Sequence, residues 1–173
     1  MCVTDVNVQI LGKFDHCVSY LWIREVACCS LSAACGGDDG GGLSIVIADD
    51  DLVRDLNNQY RGLNENTDVL AFSFAHSGKY YGEGPIQHGS VGLVDFVLPP
   101  GRKDSLGEVV ISYPQAKRQS DKSDHGVKEE LAILIVHGIL HLIGHDHEDL
   151  EETTVMKRLE AQILSQISNE KLV

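Results

Sequence analysis

The sequence lacks any long hydrophobic run. Its longest apolar stretch, residues 131–143, is interrupted by His137, Gly138 and His141, so it is too short and too polar to span a bilayer. The first residues, MCVTDVNV, contain neither the basic segment nor the apolar core of a signal peptide. We therefore expect a soluble, cytoplasmic protein with no membrane partner.

The sequence also lacks a pattern of cysteines that would predict disulfides or a thiolate metal site. There are five cysteines, an odd number, all lie in the first 35 residues, and no C-x-x-C pair occurs. We expect reduced thiols, mostly on one helix. The cysteines are Cys2, Cys17, Cys28, Cys29 and Cys35.

What is present is the composition of one globular domain. The chain has 173 residues, of which 43% are hydrophobic and 23% are charged, which suits a single domain with a core and excludes wholesale disorder. We predict one domain over residues 1–173, with a flexible glycine-rich loop at 36–42 and a long insertion at about 75–105 that is rich in glycine and proline.

Hydrophobic periodicity predicts strands that alternate with helices. Three aspartates, Asp49 to Asp51, stand where helix N-caps are preferred, and Pro114 is expected to end a strand. The predicted strands are 6–10, 43–48, 68–74, 91–98 and 106–112, and the predicted helices are 14 to about 33, 50–60, about 126–145 and one around 155–167. This order indicates a sheet with packed helices.

The segment HGILHLIGHDH at 137–147 carries the strongest chemical signal. His137 and His141 are four residues apart on a predicted helix, so both imidazoles can reach one ion. His145 would lie roughly 12 Å along the axis from His137, too far to share that ion. If the helix ends at Gly144 and the chain turns back, His147 can join the pair. We predict that His137, His141 and His147 bind a metal, in the ligand spacing H-x3-H-x5-H of metzincins.

The predicted site has three histidines and no fourth protein ligand nearby. This is typical of a catalytic zinc site, which keeps one position open. In H-E-x-x-H peptidases the residue after the first histidine is a glutamate that acts as general base, whereas here it is Gly138. Ordinary zinc-peptidase chemistry is therefore disfavoured, and a metallopeptidase would have to recruit its base from elsewhere, such as Glu108.

At this segment the chain resembles the YbeY family of bacterial metal-dependent endoribonucleases. The family pattern H-G-x-L-H-L-x-G-(Tyr/His/Phe)-D-H is matched by residues 137–147. A second family block is matched by LNNQYR at 56–61 and TDVLAF at 67–72, and a third by LGEVVIS at 106–112. The resemblance covers roughly residues 42–74 and 106–165.

The resemblance implies an α+β fold of zincin-like type, with a mixed, roughly four-stranded sheet and a central metal-binding helix. It implies Zn²⁺, or another divalent transition metal, on His137, His141 and His147, and a catalytic role for these residues and for Arg61, which matches the active-site arginine of the second block. It also implies hydrolysis of single-stranded RNA in the maturation of the small-subunit ribosomal RNA 3′ end and in ribosome quality control, with ribosomal particles as partners.

The net charge of −12 limits how RNA can bind, because phosphate contacts normally rest on clustered Lys and Arg. The segment 99–128 nevertheless carries six bases and four acids. Its bases are Arg102, Lys103, Lys117, Arg118, Lys122 and Lys128. Two alternatives stay open: a metallopeptidase-like hydrolase, and a non-catalytic ribosome assembly factor with a structural zinc. Oligomeric state is not indicated.

Overall fold

The computed structural model describes residues 5–36, 41–74, 105–145 and 150–170. The predicted strand at 91–98, nearly all of the predicted insertion, and the middle of the glycine-rich loop lie outside these residues. The elements are β1 (Val6–Ile10), a 3-10 turn (Gly12–Phe14), α1 (Tyr20–Ala34), β2 (Gly42–Ala48), α2 (Asp50–Arg61), β3 (Val69–Ser73), β4 (Ser105–Ser112), α3 (Tyr113–Ser120), α4 (Val127–Leu142) and α5 (Leu150–Asn169).

The four strands form one mixed sheet in the order β1-β2-β4-β3. β1, β2 and β4 are parallel, and β3 pairs antiparallel with β4 at the edge. The β2–β4 register slips by one residue at Gly42 and Leu43, opposite Gly107, whose φ of +148° suits glycine. The predicted α+β class with a mixed four-stranded sheet is confirmed.

Side chains alternate across the sheet and build two unequal cores. Val109 and Ile111 of β4 point to the larger core, which α1, α4 and α5 complete. Val110 points to the opposite face, where Val53 and Leu56 of α2 cover a smaller core. The sheet therefore separates α2 from α4.

Helix α4 is the central helix of the larger core, as its nearly continuous apolar sequence predicts. Ten of its residues are buried, and it contacts α1, α3, α5 and the sheet. A glycine lets it lie close to β4: a Cβ on Gly138 would stand 2.6 Å from Cγ1 of Val109. No helix among the described residues is long and apolar enough to cross a membrane.

One helix prediction was wrong at its start, and one helix was not predicted. The first helix begins at Tyr20 and not near Phe14, because the Ser19 side chain accepts the backbone N–H of Trp22 and sets the start. Helix α3 was missed altogether. Ser112 caps it by accepting the N–H of Gln115, and Pro114 sits in its first turn, where proline is well tolerated. Pro114 thus begins a helix directly where the strand ends.

Candidate metal centre and active site

The imidazoles of His137 and His141 meet on one flank of α4. Their Nε2 atoms are 3.1 Å apart, and the ring planes are inclined at 81°. Two nitrogens bound to one tetrahedral zinc at roughly 2.0–2.1 Å would be separated by about 3.3 Å. The pair therefore has the spacing that a shared metal ion requires.

A carboxylate on α5 fixes the orientation of His137. Glu160 Oε1 lies 2.6 Å from His137 Nδ1, at a site where the histidine side chain is 31% exposed and the glutamate side chain 22%. When Nδ1 carries the proton and donates a hydrogen bond to Glu160, the lone pair of Nε2 points toward His141. Such a carboxylate–histidine pair orients a ligand and raises its basicity.

Position 160 was not singled out from the sequence as part of the site. It lies 23 residues after His137, on another helix, and no local spacing links the two.

The end of α4 has the geometry that the sequence predicts around Gly144. The helix ends at Leu142, and Gly144 has φ +94°, the left-handed region that glycine favours. The N–H of Gly144 donates to His141 O at 3.1 Å, and that of His145 donates to Leu140 O at 3.0 Å. The chain therefore leaves the helix axis directly after the second histidine.

His147, the third predicted ligand, lies outside the described residues and stays a prediction. Within residues 5–36, 41–74, 105–145 and 150–170, no group of three His, Cys, Asp or Glu side chains is placed to hold a metal. His145 therefore does not complete a three-ligand group with His137 and His141, in line with its distance along the helix axis. The described part of the site contains two of the three predicted ligands, His137 and His141.

Two positions could have carried a general base, 138 and 108, and neither faces the histidines. A side chain at position 138 would point into Val109, so a glutamate there would face the sheet and not the metal. Glu108 neighbours Val109 on β4 and so points to the opposite face, where its register partners are Ser44 and Phe72. The sheet stands between Glu108 and α4.

Glu108 has an unusual protonation equilibrium. It is 9% exposed, and burial raises the pKa of its carboxyl from 4.5 to about 7. Between these two pH values the folded protein keeps a proton on Glu108 that the unfolded chain releases. The free energy of unfolding is therefore highest at low pH and falls as the pH rises from about 4.5 to 7.

We expect Glu108→Gln to remove this pH dependence. The wild type should lose up to about 3 kcal/mol of unfolding free energy between pH 5 and pH 8, and the variant should lose much less. Urea unfolding at both pH values measures the difference. Glu25→Gln, at an exposed position of α1, is the matched control and should follow the wild type. Equal slopes in the Glu108 variant and the wild type would contradict the assignment.

Arg61 is the last residue of α2 and is half-buried. Gly62, with φ +70°, ends the helix. Helix α2 starts beside the last residue of β4, because the hydroxyl of Ser112 donates to the Asp50 carboxylate. From there the helix runs back toward the beginning of β4. Leu142, at the end of α4, reaches the same end: its carbonyl accepts the hydroxyl of Ser73 at 3.2 Å. The arginine and the histidine pair thus lie at the same end of the sheet, on helices that cover opposite faces.

The predicted basic segment is partly neutralised within the chain. Arg118 donates from both terminal nitrogens to Asp50, each at 2.9 Å, and this pairing holds the pKa of Asp50 below its ordinary value. Lys117 is paired with Asp121, and Lys128 Nζ lies 5.4 Å from the centre of the Trp22 ring. These bases are therefore not a preformed phosphate groove. Arg102 and Lys103 lie outside the described residues.

We expect Glu160→Gln to weaken metal binding by roughly 10- to 100-fold, the usual cost of losing a carboxylate that orients a ligating histidine. Glutamine keeps the size but cannot hold the same charge-assisted hydrogen bond. Competition titration with a zinc chelator measures the affinity. Glu152→Gln, on the same helix, should leave it unchanged, and an unaltered affinity in the Glu160 variant would show that the carboxylate does not tune the site.

The fold and the histidine helix place the chain among α+β proteins with a mixed four-stranded sheet. The solution structure of TM1509 from Thermotoga maritima has the same fold, with a TM-score of 0.55 at 17% identity, covering 96% of this chain and 94% of that one.

Sequence comparison gives the family. The Endoribonuclease YbeY family profile matches residues 21–168. Proteins named Endoribonuclease YbeY are similar to this chain at 39% identity in Dehalococcoides mccartyi strain 195 (88% of this chain, 84% of the relative) and at 37% in Syntrophomonas wolfei (75% and 74%). The chain belongs to the YbeY family of endoribonucleases, hydrolases that act on RNA, and the predicted resemblance is confirmed.

Proposed function

We propose that this protein is a metal-dependent endoribonuclease that cleaves single-stranded RNA in ribosomal RNA processing, at the 3′ end of the small-subunit RNA. Zn²⁺ is the proposed metal, held by His137, His141 and His147, and ribosomal particles in the cytoplasm are the proposed setting. The observation that carries the proposal is the 3.1 Å approach of the two Nε2 atoms, with Glu160 on the far nitrogen of His137. Family membership supports the RNA substrate.

The described residues fit a catalytic ion better than a structural one. The two imidazoles lie half-buried on one flank of a helix, and together with His147 they would form a three-histidine site of the kind that catalytic zinc uses. A divalent ion bound there would supply Lewis-acid activation of the phosphodiester and of a water molecule. The protein's own contribution is to hold the proposed ligands in place: α4 sets their separation, and a proton held on Nδ1 of His137 by Glu160 leaves the lone pair of Nε2 directed toward His141.

Arg61 is the proposed phosphate-binding group. A guanidinium stays charged at every relevant pH and can donate two parallel hydrogen bonds to phosphate oxygens. Placed at the end of the sheet where α4 also ends, it would neutralise the charge that builds up on the phosphoryl oxygens in the transition state. Position 138 faces Val109, and Glu108 lies across the sheet from the histidines. The proposed nucleophile is therefore an activated water or the 2′-hydroxyl of the substrate, without a carboxylate at either position as its base.

The acidity of the chain also bears on how substrate is presented. With a net charge of −12 and several bases paired internally, binding to free RNA should be weak and strongly dependent on salt. This supports a ribosomal particle as the partner that brings the RNA to the site.

The test combines metal analysis with three substrates: a single-stranded, 3′-extended small-subunit RNA precursor, the same segment as a duplex, and an unstructured protein such as casein. We expect the metal-loaded protein to cleave the single strand and spare the other two. Cleavage of casein without cleavage of RNA would instead indicate a peptidase. A holoprotein that cleaves nothing, and that unfolds when a chelator removes the metal, would indicate a structural zinc.

A further inference from the structure

Two aromatic side chains meet on the α2 face of the sheet, next to Arg61, and a third aromatic residue follows at the same end of the sheet. Tyr60 precedes Arg61 at the end of α2, Phe72 lies near the end of β3, and Phe74 follows two residues later. The rings of Tyr60 and Phe72 meet edge to face, with centroids 5.0 Å apart and planes at 64°. In a chain with only 6% aromatic residues, this cluster is a local concentration.

The strand pairing continues one residue past β3 and keeps Phe74 near the start of β4. The N–H of Phe74 donates to Leu106 O at 2.9 Å, and the chain bends at this residue. Phe72 packs against the smaller core and is half-buried, which anchors the cluster. Tyr60 extends from this anchor toward solvent, and Phe74 is exposed at the same end of the sheet.

The exposure of these rings is not required by the core. Tyr60 is 46% exposed and Phe74 49%, and Leu63, just after the helix, is 40% exposed. Neither Tyr60 nor Phe74 belongs to either core cluster. Large apolar side chains left exposed side by side beside a charged site commonly mark a binding surface.

We propose that Tyr60, Phe72 and Phe74 form a stacking surface for the unpaired bases of the RNA, next to the phosphate held by Arg61. This inference rests on the proposed function and names how the substrate is recognised. A cationic group for the backbone together with aromatic faces for the bases is the usual means of binding single strands without sequence preference. Bases in a duplex are already stacked on each other and cannot use such faces, so the surface selects single-stranded RNA.

The direct test is Tyr60→Leu against Tyr60→Phe. Leucine keeps apolar bulk but removes the ring, whereas phenylalanine keeps the ring. We expect leucine to weaken binding of a single-stranded oligoribonucleotide by roughly tenfold and to raise KM with little change in kcat, because stacking contributes equally before and in the transition state. Phenylalanine should behave like the wild type. Phe74→Leu is the second variant, with the same expected direction.

The chain supplies a matched control. Tyr20, at the start of α1, is 45% exposed, almost the same as Tyr60. Tyr20→Leu should leave RNA binding and KM unchanged. A phosphodiester oligomer with abasic sites in place of bases should bind the wild type and the Tyr60→Leu variant equally, because only the backbone contact remains.

The outcomes separate this inference from the proposed function. If the wild type cleaves single-stranded RNA and Tyr60→Leu and Phe74→Leu leave KM unchanged, the stacking surface is wrong and the proposed function stands. If single-stranded RNA binds with the predicted Tyr60 dependence but is not cleaved, the nuclease proposal fails and the surface stands. Absence of any binding of single-stranded RNA would overturn both.

Discussion

Replacing His141 with alanine should abolish both metal binding and RNA cleavage while the protein stays folded. His137 and His141 are the two proposed ligands in the described part of the site, so the variant loses one of them and the 3.1 Å pair no longer exists. A Lewis-acid metal is worth several kcal/mol in the transition state, so cleavage should fall by at least roughly 10³-fold. Elemental analysis of the purified variant and a single-turnover RNA assay measure the two losses.

The matched control is His16→Ala. His16 is exposed and lies before α1, away from α4, and the variant should keep full metal content and activity. Circular dichroism should show both variants folded, because His141 is only half-buried and its removal leaves the apolar face of α4 intact. A His141 variant that retains a full complement of metal would show that the ion lies elsewhere.

Replacing Arg61 with alanine should lower the rate of RNA cleavage by roughly 10²- to 10³-fold while the metal stays bound. This is the usual cost of removing one group that stabilises developing charge. Since α2 and α4 lie on opposite faces of the sheet, the substitution should not disturb the histidines. Arg61→Lys keeps the charge but not the two-pronged geometry and should be intermediate.

Arg54→Ala controls for the loss of a positive charge on α2. Arg54 lies on the same helix, where its side chain pairs with Asp51 at 2.8 Å. This variant should cleave at the wild-type rate at moderate salt. An Arg61 variant with normal turnover, or one that has also lost its metal, would contradict a role confined to phosphate binding.

Sequence reasoning predicts those parts of the fold that depend on local signals. The strands at β1, β2 and β4 follow from alternating or continuous apolar residues, and the start of α2 follows from Asp49, which accepts the N–H of Leu52 at 2.8 Å. The end of α4 follows from Gly144. The missed helix α3 had a local signal as well, a serine two residues before a proline, which we interpreted only as the end of a strand.

The remaining features depend on contacts between residues distant in sequence. Glu160 reaches His137 only because α5 packs on α4, and Arg118 is neutralised by Asp50, 68 residues away. No periodicity in the sequence of either segment predicts these pairings. The same holds for the aromatic cluster, since Tyr60 and Phe72 share a face only after β3 has paired with β4.

The contact between Gly138 and Val109 restricts how this scaffold can change its chemistry over evolution. A single substitution of Gly138 by glutamate would create the H-E-x-x-H signature. The new side chain would clash with Val109 of β4 and would push the helix away from the sheet. The alignment of His137 with Glu160 would then be disturbed. A lineage starting from this architecture would need to reshape β4 before a peptidase-type base could enter, so the two kinds of hydrolase are separated by a packing barrier and not by one codon.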